Sequence, residues 1–284
     1  MKIIGVDLGG TKITAALIEN DRIIKHFTCP TPFDQAKMVV VEAISEAISE
    51  VYDPEVIGIG IGVPGLVDHE TNMVLDVTNI PSWTEVPLKY LLEERFHKPV
   101  FVNNDANCFA LGEKYFGKGK SYSNLIGLTI GTGLGAGIII NNHLYSGRYS
   151  GAGEFGNIYY RDSNIENYCS GMFFKNQNLS GKEQAEKARS GDADALVLFD
   201  KLGFHMAHGI GNILFALAPE AIILGGSVSQ AFPLFEKSMR QTFTDFPYQK
   251  LYRNLKIELS TEPNIAVLGA SSLVLDSGVA EFKV

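Results

Sequence analysis

Residues 5–19 read GVDLGGTKITAALIE: an apolar, strand-like run carries Asp7, meets the pair Gly9-Gly10, and resumes after Thr11-Lys12. Glycines accept the positive φ of a tight turn, so the stretch predicts two antiparallel strands joined at Gly9-Gly10. A plain turn has no use for an aspartate before it and Thr-Lys after it. Backbone N–H groups reach phosphate oxygens where no Cβ stands in the way, and Thr11 and Lys12 add a hydroxyl and an ammonium donor. Taken alone, the stretch is either a hairpin that joins strands or a hairpin that holds phosphate.

The pattern returns later in the chain. GVDLGGTKITAALIENDRI from Gly5 lies without gaps on GLTIGTGLGAGIIINNHLY from Gly127. Gly9 meets Gly131, Ala16-Leu17-Ile18 meets Ile138-Ile139-Ile140, and the turn Glu19-Asn20-Asp21 meets Asn141-Asn142-His143. After the first hairpin, spacing predicts a third strand at 22–28, a helix at 36–51, a buried strand at 56–63, a helix near 88–96 and a strand at 100–103, with another helix after Asn104-Asp105. After the second come a long helix near 193–217, a strand at 221–224, a helix near 232–244 and a closing helix near 267–275. The fold class expected is α/β: two copies of one lobe, 1–112 and 113–266, each a mixed sheet flanked by helices. The closing helix packs back on the first lobe, and the lobes face one another across a cleft.

Two glycine hairpins on one cleft suit a polyphosphate. Gly131, Thr132, Gly133 and Gly135 repeat what Gly9, Gly10, Thr11 and Lys12 offer, and Asp7 is the partner for a magnesium ion, which takes few carboxylates and keeps its waters. GTGLGAG also matches a dinucleotide fingerprint, but it runs from strand to strand, whereas that motif must open a helix. Val102-Asn103-Asn104-Asp105-Ala106-Asn107 ends a strand and starts a helix. Its aspartate reads as an N-cap or as a general base that takes a proton from an attacking hydroxyl, and the cap reading leaves the extra amides unexplained. Leu224-Gly225-Gly226-Ser227 follows an apolar strand, and its small residues let an adenine or ribose lie flat on the backbone.

Composition narrows the class. The 284 residues are 45% apolar and 20% charged, as in an ordinary globular protein of two lobes. A net charge of −8 argues against a nucleic-acid surface. Cys29, Cys108 and Cys169 lie far apart and read as reduced thiols, and no apolar run is long enough to span a membrane, so a cytoplasmic protein is expected. His205 and His208, three apart on the long helix, are expected on its polar side or at a lobe contact.

DLGGTK, VPGLVD, NNDAN, IGTGLGAG, GAGEFGN and LGGS, in this order, resemble the ROK family of bacterial sugar kinases within the actin-like ATPase superfamily. The resemblance covers nearly the whole chain. It implies two ribonuclease-H-like lobes, ATP-dependent phosphorylation of a hexose at O6, phosphate binding by the first hairpin, Asp7 near the metal, and Asp105 as catalytic base. It sets Asn104 and Gly65 along the sugar and Asn79 near the sugar pocket, and it implies a homodimer. Family members carry Glu-x-Gly-His and then a cysteine cluster that binds structural zinc. Here the segment is Glu154-Phe155-Gly156-Asn157 with no cysteine cluster after it, and Ile165-Glu166-Asn167-Tyr168-Cys169-Ser170-Gly171 resembles the family's stretch just past the zinc loop. Zinc is therefore expected to be absent, for want of a tetrahedral ligand set. Glu154, Asn157 and Glu166 are expected to bind sugar hydroxyls. Glucose is the first expectation and N-acetylmannosamine the runner-up, ahead of fructose and β-glucosides. A transcriptional repressor of the same family would need an added helix-turn-helix, while the hairpin begins within the first ten residues and the charge is acidic. A silent sugar sensor would not need Asp105.

Overall fold

The structure is a computed structural model that describes residues 1–77 and 79–278. β1 (Lys2–Leu8), β2 (Lys12–Glu19) and β3 (Arg22–Pro30) form an antiparallel meander, followed by α1 (Lys37–Val51) and β4 (Val56–Val63). β1 and β4 are apolar on both faces because both faces are covered, whereas β3 is a largely exposed edge. α1 buries Val40, Val41, Ile44, Ala47, Ile48 and Val51, one stripe of an amphipathic helix. Three short strands, β5 (Leu66–Asp68), β6 (Met73–Leu75) and β7 (Glu85–Val86), make a separate sheet. α2 (Leu88–Phe96), β8 (Val100–Asn104) and α3 (Asp105–Tyr115) come next. The first large sheet is ordered β3-β2-β1-β4-β8, with β4 parallel to both β1 and β8. Asp7 pairs with Gly62, and Gly62 with Asn103, so one row across three strands carries Asp7 and the start of the Asn-Asn-Asp run.

The later elements are β9 (Leu125–Ile130), β10 (Leu134–Ile140), β11 (His143–Leu144), β12 (Tyr159–Tyr160), β13 (Ser163–Asn164), α4 (Ile165–Cys169), α5 (Met172–Lys175), α6 (Gly181–Arg189) and α7 (Ala193–Leu217). Then come β14 (Ala221–Gly225), α8 (Phe232–Thr242), α9 (Gln249–Asn254), β15 (Lys256–Leu259) and α10 (Ile265–Asp276). The second large sheet is ordered β11-β10-β9-β14-β15, matching the first position for position. The gap-free match between the hairpins slips in its last third. Asn20-Asp21 and Asn141-Asn142 are the positive-φ turn pairs, so the second turn comes one residue early because β10 is one residue shorter than β2. The helix expected over 232–244 ends at Thr242, and its last turn tightens to a 3₁₀ helix over Phe243–Asp245.

By packing, the chain divides into two units, with the division falling inside β10. The first holds Met1–Ser121, Gly137–Ala152 and the segment from Thr261; the second holds Tyr122–Ala136 and Gly153–Ser260. α10 lies in the first unit, where the carbonyls of Val267 and Ala270 stand in the space a Cβ at Gly5 and Gly60 would need. That close approach to β1 and β4 explains glycine at the centre of two buried strands.

Candidate functional site

In the first unit the hairpin closes through Gly9 N–H, which donates to the Lys12 carbonyl at 2.9 Å. Thr31 fixes it from the side: its hydroxyl donates to Gly9 O at 2.7 Å and its N–H to Thr11 O at 3.0 Å. The positive φ expected of the hairpin glycines is not found at Gly9, Gly10, Gly131, Gly133 or Gly135. A loop that spans three residues between the strands closes without positive φ, so what these glycines offer is the lack of a Cβ. Asn79 lies over Gly10, where an added Cβ would stand 3.1 Å from the Asn79 Cβ and 3.5 Å from its Nδ2. Asp7 sits just before this turn, and burial pushes its carboxyl above the usual range against the opposing pull of the Lys12 charge.

The start of α3 departs from expectation. Its N-cap is Asn104, whose Oδ1 accepts the Ala106 N–H at 2.9 Å, while Asp105 is the first residue of the helix and is exposed. The same N–H also lies 2.8 Å from Asp105 Oδ1. Asn is as good a cap as Asp, and here the preceding residue has the extended backbone a cap requires. Asn104 Nδ2 donates to Gly65 O at 3.2 Å, so two of the residues expected along the sugar are joined. Asn103, absent from the expected set, is 4% exposed and holds this corner together. Its Oδ1 accepts Asn104 N–H at 2.8 Å and Asn107 Nδ2 at 2.9 Å, and its Nδ2 donates to Ser146 Oγ at 3.1 Å. The buried Cys108 thiol is pushed up by burial and further by the charges of Asp105 and Asp7.

In the second unit the loop at 131–133 closes with Gly131 N–H donating to Gly133 O at 3.0 Å. Gly171 N–H donates to Gly131 O at 2.8 Å and Ser170 Oγ to Thr132 O at 2.9 Å, so the loop rests on the segment after α4. Gly226 has φ +84° and its Cα faces the backbone of Ile130, leaving no room for a side chain. Gly225 ends β14 beside Thr129, and Gly135 lies in β10, its carbonyl accepting the Thr129 hydroxyl at 3.2 Å. A cavity of about 470 Å³ adjoins the loop at Gly131, Thr132, Ser227 and Val228. Gly225 and Gly226 do not line it; apolar walls come from Phe174, Ala185, Phe199 and Ala231, with Lys175, Lys182 and Arg189 around them. α5 and α6 supply much of this wall, and no sequence motif announces them.

Glu166 lies on the same loop: its Oε2 accepts the Leu134 N–H at 2.9 Å. Glu154 and Asn157 are exposed and joined to each other, Asn157 Nδ2 donating to Glu154 Oε2 at 2.9 Å. His205 is not on the polar side of α7. It is buried, with Nδ1 3.1 Å from the Tyr160 hydroxyl and its ring among Tyr160, Tyr168 and Phe173, because α4 and the β12–β13 hairpin cover that face. Burial, with Arg161 and His208 nearby, lowers its pKa to about 4. The β12–β13 turn carries Arg161 over the rings of Tyr160, Tyr168 and Phe204, and Tyr168 donates to Asp162. Among the described residues no group of three His, Cys, Asp or Glu side chains is placed to hold a metal ion.

Residues 3–277 match the model of the ROK family. A glucokinase of Thermotoga maritima is 30% identical over 96% of this chain and 97% of its own length. A xylose repressor of Bacillus subtilis is 30% identical over 96% of this chain and 77% of its own length. The crystal structure of a ROK family glucokinase from Streptomyces griseus, in complex with glucose and AMPPNP, is 32% identical, covers 96% of this chain and 99% of its own, and superposes with a TM-score of 0.79. A match from residue 3 to residue 277, the paired α/β sheets of identical strand order and relatives aligned along nearly the full length lead to one assignment: this chain belongs to the ROK family.

Proposed function

We propose that this chain is an ATP-dependent sugar kinase that phosphorylates a hexose at O6, with glucose the first substrate and N-acetylmannosamine the alternative. The observation that carries the reading is the start of α3. Asn104 is the N-cap, and Asp105, the first residue of the helix, carries an exposed carboxylate two residues beyond Asn103, where the strand row of Asp7 ends. In the reaction, Asp105 accepts the proton of the 6-hydroxyl as that oxygen attacks the γ-phosphorus. The bond from the γ-phosphorus to the bridging oxygen breaks, and ADP departs with the electron pair. Asn104, held to Gly65, orients the hydroxyl, and Asn79 closes over the first hairpin at Gly10. Glu154, Asn157 and Glu166 accept or donate hydrogen bonds to the remaining hydroxyls.

Two glycine hairpins receive the phosphates. Gly131 offers the more open approach, since among the described residues beyond its chain neighbours none lies within 4 Å of where its Cβ would be. The adjoining cavity of about 470 Å³ suits a nucleoside, its apolar walls facing the base. Asp7 fits a magnesium ion: a cation relieves the desolvation that raises its carboxyl, and magnesium is held by one or two carboxylates plus substrate phosphates. Such an ion would neutralise phosphate charge. The glucokinase of Streptomyces griseus in complex with glucose and AMPPNP supports the same pairing of ligands. The test is ADP release with ATP, magnesium and a panel of glucose, N-acetylmannosamine, fructose and xylose. Sugar-dependent ADP release is expected with glucose, the product carrying phosphate at O6. Release with none of the sugars, at protein concentrations that detect one turnover per minute, would remove the reading.

A further inference from the structure

α4 is only five residues long, and its two sides are held by different parts of the second unit. On one side Ile165, Tyr168 and Cys169 face α7. Gly209 there gives them room, a Cβ at that position standing 3.2 Å from Ile165 Cγ2 and 3.5 Å from the Cys169 sulfur. The Tyr168 ring centre is 4.8 Å from that of His205, one turn earlier on α7. On the other side Glu166 Oε2 accepts the Leu134 N–H, and Ser170 Oγ donates to Thr132 O. A short helix pinned to a 25-residue helix thus carries a carboxylate onto the exit of the glycine loop. Gly133 makes room for it: an added Cβ would lie 2.5 Å from Glu166 Oε2 and 3.2 Å from its Cδ. Glu166 is half-buried, and its Oε1 has no hydrogen-bond partner among the described residues.

We infer that Glu166 couples sugar binding to nucleotide binding. One carboxylate oxygen fixes the loop that receives phosphate, while the other accepts a sugar hydroxyl. The inference rests on the sugar-kinase reading above. A carboxylate ordered by a sugar holds the Leu134 N–H, and with it the loop, in place for the phosphates. A loop ordered by nucleotide holds the carboxylate in place for the sugar. The ordering cost is met by whichever ligand binds first, so each ligand strengthens the other by the same factor. A glutamate that only supported the loop would stabilise the fold and leave the two affinities independent.

The experiment is calorimetric titration of magnesium-AMPPNP with and without saturating glucose, in the wild-type chain, Glu166→Gln and Gly133→Ala. Glu166→Gln keeps the size of the side chain and removes its charge. Gly133→Ala keeps the carboxylate and pushes it off the loop. In the wild type, glucose is expected to tighten AMPPNP by about five-fold or more. In both variants that ratio falls towards one, with melting temperatures recorded alongside. A ratio unchanged in Glu166→Gln, whatever happens to the separate affinities, overturns the coupling and leaves the kinase reading standing. A wild-type ratio of one does the same. Failure of the wild type to bind glucose at all removes the reading beneath the inference.

Discussion

Asp105→Asn exchanges one oxygen of an exposed carboxylate for an amide at the first position of α3, and the amide oxygen can still accept the Ala106 N–H that lies 2.8 Å from Asp105 Oδ1. The cap is Asn104, whose Oδ1 accepts the Ala106 N–H at 2.9 Å. The substitution removes a negative charge from the first turn, where it favours the helix dipole by about 0.3–1 kcal/mol. Asn104→Ala is the informative contrast. It deletes the cap, about 1 kcal/mol, and also the 3.2 Å hydrogen bond to Gly65 O, about 0.5–1.5 kcal/mol. Asn104→Ala should therefore be the less stable variant by roughly 1–2 kcal/mol. Turnover should rank the two in the opposite order. Without a base to take the hydroxyl proton, Asp105→Asn should lose about 10²–10⁴-fold in kcat, or roughly 3–5 kcal/mol in the barrier. Asn104→Ala should mainly raise the KM for sugar. Steady-state ADP release, sugar titration and thermal melting on the same preparations read all three quantities. If Asp105→Asn keeps more than about a tenth of wild-type kcat, the base assignment fails. If it also melts as low as Asn104→Ala, the carboxylate is serving the helix start.

Gly131→Ala should separate the phosphate role of the second loop from its fold. φ at Gly131 is not positive and an added Cβ meets none of the described residues beyond its chain neighbours within 4 Å, so stability should hold or rise by about 0.4–1 kcal/mol, while the KM for ATP rises about ten-fold and that for sugar changes little. An unchanged KM for ATP in a normally melting variant would show that phosphate does not approach there. His205 makes a pH prediction. Its pKa is about 4 in the fold against 6.5 for an unperturbed histidine, so the unfolded chain binds the extra proton first. The resulting stability is complete above pH 6.5, is lost as the pH falls from 6.5 towards 4, and is at most roughly 3 kcal/mol. The difference in unfolding free energy between wild type and His205→Gln should therefore shrink over that interval. A difference that is flat from pH 7 to 4.5 would show that His205 is not held neutral by its surroundings.

The elements that can be read from the sequence are those whose burial has a single period. α2 and α7 run Leu88–Phe96 and Ala193–Leu217, as the apolar spacing predicts, and β4 runs Val56–Val63 because it is buried on both faces. β5, β6 and β7 have two or three residues each, too few for any period to show. α4, α5 and α6 lie between Ile165 and Arg189 and are broken by Ser170-Gly171 and Ser180-Gly181, so none presents a long stripe. Asn103 is hidden for a different reason. A strand residue whose amide binds a neighbour's backbone N–H, Asn107 and Ser146 looks, in sequence, like one more polar residue at a strand end. The burial of His205 is invisible to helical spacing because its cover, Tyr160 and Tyr168, comes from a hairpin and a short helix remote in sequence.

The hairpin glycines show how a hairpin can be located in the sequence for an incorrect local reason. Positive φ is the expected cause of glycine at 9, 10, 131, 133 and 135, and none of them adopts it. Positive φ is found instead at Gly226 and, among other positions, at the pairs Asn20-Asp21 and Asn141-Asn142, which turn the strands that follow each hairpin. What selects glycine within the hairpins is the neighbour each one faces: Asn79 at Gly10, Glu166 at Gly133, and open space at Gly131. These three environments predict different outcomes for the same substitution. Alanine at Gly10 comes within 3.1 Å of the Asn79 Cβ, so that exposed residue must give by a few tenths of an ångström, alanine at Gly133 displaces a carboxylate tied to Leu134, and alanine at Gly131 meets none of the described residues beyond its chain neighbours. A backbone-strain account gives one answer for all three, so the difference between Gly131→Ala and Gly133→Ala in melting temperature alone tells the two accounts apart.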